Sequence, residues 1–170
     1  IFVFILSGLG LFWLCVGIVG KKVRIRPFLI YAVCSSLVNV MVVLLSTWLI
    51  DEDVLFGPYF SLLFAVAGYT VGAAALGIVI RKCYGVPFLQ GLTAAMLSHF
   101  VINTADDVVA TAAATYSPLF GGMYLYTFIT IILPKLWGFF IAFLAAYILR
   151  KSGFYRYFAA LFSRRFNTEV

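Results

Sequence analysis

Four polar residues stand in one long apolar stretch, FLQGLTAAMLSHFVINTADDVVATAAAT at 88–115. They are the single histidine of the chain, His99, followed by Asn103, Asp106 and Asp107. Offsets of four, seven and eight residues bring all of them near one face of a helix. Polar and ionisable side chains at membrane depth are costly, so they usually face a protein interior or a wet cavity. We therefore expect this helix to hold the specific chemistry of the protein.

Lys135 is the one base that lies inside an apolar stretch. At about 1.5 Å of rise per residue, Lys135 and His99 both lie near the middle of a bilayer. A buried lysine must pair with an acid or lose its proton, and the acids within reach are Asp106 and Asp107. Three interpretations follow. These residues form a structural ion pair, a site for a polar solute that includes Lys135 and the polar helix face, or a proton relay through His99 and the aspartates.

Composition points to lipid as the surrounding solvent. The chain has 170 residues, of which 65% are hydrophobic and 11% charged, and its mean hydropathy is +1.12. Soluble domains are closer to half apolar and a quarter charged. The net charge of +6 would suggest nucleic acid in a soluble protein, but here the bases fall in loops that fix membrane orientation. We expect no nucleic-acid partner.

The pattern predicts an all-α integral membrane protein with five visible spans. Spanning requires about 20 apolar residues, and such runs cover approximately 1–20, 27–50, 59–80, 88–114 and 121–149, ahead of a basic tail at 151–170. Turn signals separate them, including the acidic segment 51–53 and Gly57-Pro58. Because the chain opens inside an apolar run, a sixth helix before residue 1 is a further expectation.

The bases segregate to one side of this layout. Eleven of the twelve lie there: Lys21, Lys22, Arg24, Arg26, Arg81, Lys82, Arg150, Lys151, Arg156, Arg164 and Arg165. The acidic segment 51–53 lies on the other side. The positive-inside rule makes the basic side, with the C-terminus, cytoplasmic. We expect a bacterial or archaeal cytoplasmic membrane.

Two surfaces are candidates for partners. In the tail, apolar residues recur at helical spacing among bases, which predicts an amphipathic helix on the anionic inner leaflet, or a docking surface for a cytoplasmic protein. Those apolar residues are Phe154, Tyr157, Phe158, Leu161 and Phe162. In the third span, Gly68 and Gly72 stand four residues apart among small residues, which favours close helix packing or contact with another membrane subunit.

The last span, ILPKLWGFFIAFLAAYILRKSG at 132–153, resembles the final helix of the S components, the vitamin-capturing subunits of energy-coupling-factor transporters. The shared features are the outward proline, the lysine after it, a glycine, small residues and a basic cytoplasmic end. The resemblance implies capture of a small solute from outside, an ATPase module supplied by partners, and Lys135 and Trp137 as site residues. That family has six helices, with closely spaced alanines on the first, and this chain displays five spans and no such alanines.

Other chemistry is disfavoured. One histidine and three unclustered cysteines make neither a structural zinc site nor a bis-histidine haem site, and nucleotide-binding motifs are absent, so we expect no metal and no cofactor. His99 and Asn103 match a fragment of the CAAX-type intramembrane protease pattern, but its paired glutamates and second histidine are missing. We therefore predict small-solute recognition or transport between spans four and five, within a multi-subunit complex. The alternatives are a non-catalytic accessory subunit and, third, an intramembrane enzyme.

Overall fold

The computed structural model describes residues 2–51, 57–116 and 128–166. These residues form six α-helices: α1 (Phe2–Ile18), α2 (Ile25–Asp51), α3 (Gly57–Tyr84), α4 (Phe88–Tyr116), α5 (Leu133–Lys151) and α6 (Phe154–Phe166). A π-helical turn, Phe128–Ile132, leads into α5. No strand occurs in those three ranges, and the predicted all-α class is confirmed there.

Two stretches are long and apolar enough to cross a membrane. They are Val66–Tyr84 in α3 and Phe128–Lys151, which covers the π-helical turn and α5. Shorter apolar stretches cover Ile5–Ile18 and Ile25–Val38. Helix α4 is long, but its histidine and its two aspartates lower its mean hydropathy. Helices α1 to α5 thus coincide with the five predicted spans in the residues that the structure describes. By length and composition, however, two stretches of those residues are able to cross a membrane, not five.

The first five helices form a closed ring. Each packs on its neighbour in the chain, α5 packs back on α1, and α1 also contacts α4 across the ring. The most buried side chains come from α1 and the adjoining ends of α3, α4 and α5, and they include Phe12, Cys15, Leu76, Ile80 and Ile102. Among the side chains that the structure describes, the core therefore lies toward the end of the bundle that carries the basic loops.

Small residues let the helices of the ring approach closely. Cβ atoms added to Gly10 and Gly17 of α1 would lie 3.4 and 3.0 Å from the Cβ atoms of Ala142 and Ala146 on α5. Between α3 and α4, a Cβ added to Gly77 would lie 3.0 Å from the Cα of Leu92. Close approach of this kind is how helices gain packing energy where lipid provides no hydrophobic drive.

Three helices end at the basic side on glycines with left-handed backbone. Gly20, Gly85 and Gly153 have φ of 70°, 66° and 70° and follow the last turns of α1, α3 and α5. Glycine adopts this conformation without a Cβ penalty and so stops a helix cleanly. The last turns of α3 and α5 also carry the basic pairs 81–82 and 150–151, which interact favourably with the negative helix end.

The start of α5 is shaped by Pro134. A proline ring collides with the carbonyl four residues earlier in a regular helix and removes one backbone hydrogen bond. The chain accommodates it with the π-helical turn just before Leu133, and Pro134 lies in the first turn of α5. Lys135 is therefore presented from the point where the two helical geometries join, an arrangement that often accompanies functional sites.

Helix α6 folds back on the basic end of the bundle. Phe158 is buried in the core cluster, with Phe154 and Phe162 on either side of it at ring-centroid distances of 6.0 and 5.1 Å. Tyr157 and Leu161, which complete the same apolar arc, are exposed. The tail is thus an amphipathic helix whose apolar arc is half covered by protein.

Candidate functional site

The polar residues of α4 separate onto two faces. Asp106 is directed toward α5, where it meets Lys135. His99, Asn103 and Asp107 line a cavity between α3 and α4. Neighbouring residues on a helix point about 100° apart, so the adjacent aspartates serve different helix interfaces. The structure therefore brings the predicted residues together as two groups.

The first group is an ion pair between α4 and α5. The Lys135 ammonium donates a hydrogen bond to Oδ2 of Asp106. The Asp106 side chain is 7% exposed and that of Lys135 30%, so the carboxylate is the more enclosed partner. The pair satisfies the requirement that a buried lysine find an acid. Lys135 is not among the residues that line the cavity.

Gly138 makes room for this pair. It lies three residues after Lys135, on the same face of α5, directly beneath the Asp106 carboxylate. A Cβ at this position would collide with Oδ1 and lie 3.1 Å from Cγ of Asp106. Oδ1 is buried and accepts no hydrogen bond from the residues that the structure describes. The spacing of three residues between Lys135 and Gly138 is visible in the sequence, but Gly138 was not among the predicted site residues.

The second group lines a cavity of about 480 Å³. Helix α3 contributes Tyr69, Thr70, Ala73 and Ala74, and α4 contributes Leu92, Met96, His99, Phe100, Asn103, Thr104 and Asp107. Its volume falls within the range of small-molecule sites, which are mostly apolar with a few polar groups. Helical spacing on α4 indicated part of this lining, but the sequence carried no signal for the α3 residues that face it.

His99 is held against α3. Gly72 lies beside its ring, and a Cβ there would make ordinary van der Waals contact, 3.5 Å from both Cε1 and Nε2. The Tyr69 ring meets the imidazole edge-on, with centroids 6.2 Å apart. Within the described part of the chain, Nε2 is buried and has no hydrogen-bond partner. A buried polar atom without a partner is costly, so this nitrogen is an unsatisfied group where α4 packs on α3.

The hydroxyl groups around the site are engaged within their own helices. Thr70 donates to the carbonyl of Val66, and Ser98 to that of Ala94, at 2.7 Å each. This is the usual way for a hydroxyl to be satisfied in apolar surroundings. The thiol of Cys15 on α1 in turn hydrogen-bonds with the buried Ser98 hydroxyl. Ser98 therefore faces α1 and contributes to packing.

Trp137 lies away from both groups. It is exposed and packs near Phe140, at a ring-centroid distance of 5.9 Å, on the outer side of α5. For metal binding, no group of three or more His, Cys, Asp or Glu side chains comes together in the described ranges. The arrangement can hold a small organic molecule beside His99 and can stabilise α4 against α5 through a charge pair.

No protein family model, no curated protein and no solved structure matches this chain.

Proposed function

We propose that this protein recognises a small solute in the cavity between α3 and α4, as a membrane subunit with five transmembrane helices. The observation that carries the proposal is the cavity itself, about 480 Å³ in volume, with the polar side chains of His99, Asn103 and Asp107 in its lining. A site of this size holds a molecule of a few to some tens of atoms.

The proposed orientation in the membrane rests on the positive charge of the loops and on their common location at one end of the bundle. Gly20, after α1, lies against Tyr155 at the start of α6, and the backbone N–H of Arg24 donates to the Tyr84 hydroxyl at the end of α3. The basic loops thus cluster at one end, the end that the positive-inside rule assigns to the cytoplasm. On this orientation the cavity extends from Leu92, about 6 Å along α4 from the basic end, to Asp107 toward the outer side, because α4 begins at the basic end.

The ion pair has a supporting role in this proposal. With Lys135 engaged by Asp106, the two charges neutralise each other and fix α4 against α5. That leaves the opposite face of α4 free to line the cavity. The resemblance of the last helix to S components favours capture of a solute from outside and partnership with an energising module, and we keep both as parts of the proposal.

A ligand screen with a matched pair of variants tests the function. In nanodiscs, thermal stability is measured with 2-phenylethanol, phenylacetate, 2-phenylethylammonium, hexanol, hexanoate and hexylammonium. Ala74→Trp fills the cavity, and Ile78→Trp adds the same side chain one turn away at an exposed position outside the lining.

We expect at least one solute to raise the melting temperature of the wild type and of Ile78→Trp but not of Ala74→Trp. If no solute stabilises the wild type in this cavity-dependent way, the proposal fails. An accessory role, in which the helices serve only as contacts within a larger assembly, would then be favoured.

A further inference from the structure

The formal charge at the cavity wall comes from one carboxylate. Asp107 is the charged residue of the lining. Asp106 is already neutralised by Lys135, whereas Asp107 is exposed and makes no ion pair with the residues that the structure describes. No lysine or arginine stands among the described lining residues to balance it. The field at this site therefore favours a cation and disfavours a carboxylate or a phosphate.

Polarity changes along the cavity. Helices α3 and α4 are antiparallel, with Gly77 beside Leu92 and Gly72 beside His99. Tyr69 and Thr70 consequently lie at the end of the cavity that holds Asn103, Thr104 and Asp107. The opposite end is lined by Leu92, Met96, Ala73 and Ala74. From Leu92 to Asp107 the helix rises about 22 Å, so a ligand meets a polar end and an apolar end.

The intermediate lining suits a charged head followed by an apolar body. Asn103, one turn from Asp107, supplies an amide oxygen that can accept from an N–H donor. The rings of Tyr69 and Phe100 offer faces that attract cations and pack against apolar groups. His99 lies one turn further along the lining and adds a third aromatic ring to it.

We infer that the ligand of this cavity is an amphiphilic organic cation, with its ammonium group at Asp107 and Asn103 and its apolar body directed toward Met96 and Leu92. The inference rests on the function proposed above and adds the chemical class. It excludes anionic solutes as preferred ligands, since the part of the lining that the structure describes contains Asp107 and neither lysine nor arginine.

Binding of three solutes that share a ring and differ in head-group charge tests the class. Isothermal titration is run on the protein in zwitterionic nanodiscs with 2-phenylethylammonium, 2-phenylethanol and phenylacetate. We expect the ammonium compound to bind most tightly. Asp107→Asn should weaken its binding about tenfold, a factor typical of one close charge interaction near a surface, and Asp107→Glu should retain most of it. Lys151→Gln, at the basic end and outside the cavity, is the control and should leave it unchanged.

The outcomes separate this inference from the proposed function. If phenylacetate or 2-phenylethanol binds more tightly than the ammonium compound, and Ala74→Trp abolishes that binding, the cavity is a solute site but the cation class is wrong. The class is equally wrong if 2-phenylethylammonium binds Asp107→Asn as well as the wild type. If Ala74→Trp leaves the binding of all three solutes unchanged, the cavity is not their site and both proposals fall.

Discussion

At the scale of single residues, the contact between Gly138 and the Asp106 carboxylate tolerates no added atom. The carboxylate is fixed from one side by Lys135 and from below by the α5 backbone. A side chain at Gly138 would displace Oδ1 and with it the ion pair. This makes Gly138 a positioning residue for the pair, although it carries no functional group.

Gly138→Ala should therefore destabilise the protein, and Gly68→Ala provides a matched control. Both positions are helical, but a Cβ at Gly68 meets nothing within 4 Å among the residues that the structure describes. Replacing glycine by alanine inside a helix normally stabilises by about 0.5–1 kcal/mol. We expect a lower melting temperature for Gly138→Ala and an equal or higher one for Gly68→Ala. Equal effects of the two substitutions would contradict the close contact.

Removing one partner of the ion pair should lower the free energy of unfolding more than removing both partners. Lys135→Met leaves the enclosed Asp106 carboxylate unpaired, and we expect a loss of about 3 kcal/mol, the lower end for buried pairs because Lys135 keeps 30% exposure. Adding Asp106→Asn should restore part of it. Chemical unfolding of the two variants measures the difference, and a double variant that is less stable than Lys135→Met would argue against a direct pairing.

The polar residues illustrate what a sequence can predict at this scale. An acid partner for Lys135 follows from the cost of a buried charge, and the structure has Asp106 in that role. The single polar face that spacing predicts on α4 is divided between two helix interfaces. Asp106 turns to α5, where Gly138 leaves space for its carboxylate, and His99 turns to α3, where it packs beside Gly72. Both glycines belong to other helices, so a pattern along α4 alone cannot include them.

At the scale of elements, one part of the apolar arc of α6 packs on the bundle and the other part is exposed. Phe158 is buried, and Tyr157, 74% exposed, turns outward beside Leu161. The sequence predicts an amphipathic helix here, but it cannot predict that the bundle itself covers part of the apolar arc. The exposed part, with Arg156 next to it, is the segment that we propose to lie on anionic lipid.

The lipid contact of α6 should depend on its bases. Replacing Arg156, Arg164 and Arg165 with glutamine should weaken binding of a peptide covering 151–170 to vesicles with anionic phospholipid, by about 1 kcal/mol per base. Sedimentation of the peptide with anionic and with zwitterionic vesicles measures the change. Equal binding of the unsubstituted peptide to both vesicle types would remove the electrostatic part of the proposal.

At the scale of the whole molecule, the sequence predicts where helices end but not the order in which they pack around the ring. Glycines, prolines and clusters of bases mark where helices end, so the described parts of α1 to α5 coincide with the predicted spans. The order of helices around the ring depends on small residues that match across distant parts of the chain, such as Gly17 with Ala146. Nothing in the local pattern of either helix specifies that match.

The orientation of the ring in a membrane is open to direct labelling. In a background without Cys15, Cys34 and Cys83, single cysteines are introduced at Arg24 and at Asp53, the latter outside the described residues. An impermeant thiol reagent added to intact cells should modify the cysteine at position 53 and not the one at position 24, because the orientation that we propose places the basic loops in the cytoplasm. The reverse pattern would invert the orientation and the side from which the cavity opens.

The packing of α1 against α5 also has a consequence for biosynthesis. The first helix leaves the ribosome early, yet the surface that covers its glycines is made more than a hundred residues later. During that interval α1 must be held by lipid, by α2 and α4, or by the insertion machinery. Helix α5 closes the ring, so the glycine face of α1 is covered only after α5 has been made. A nascent chain that stalls before α5 would expose an unfilled groove on α1, a feature by which quality control can distinguish unfinished from finished molecules.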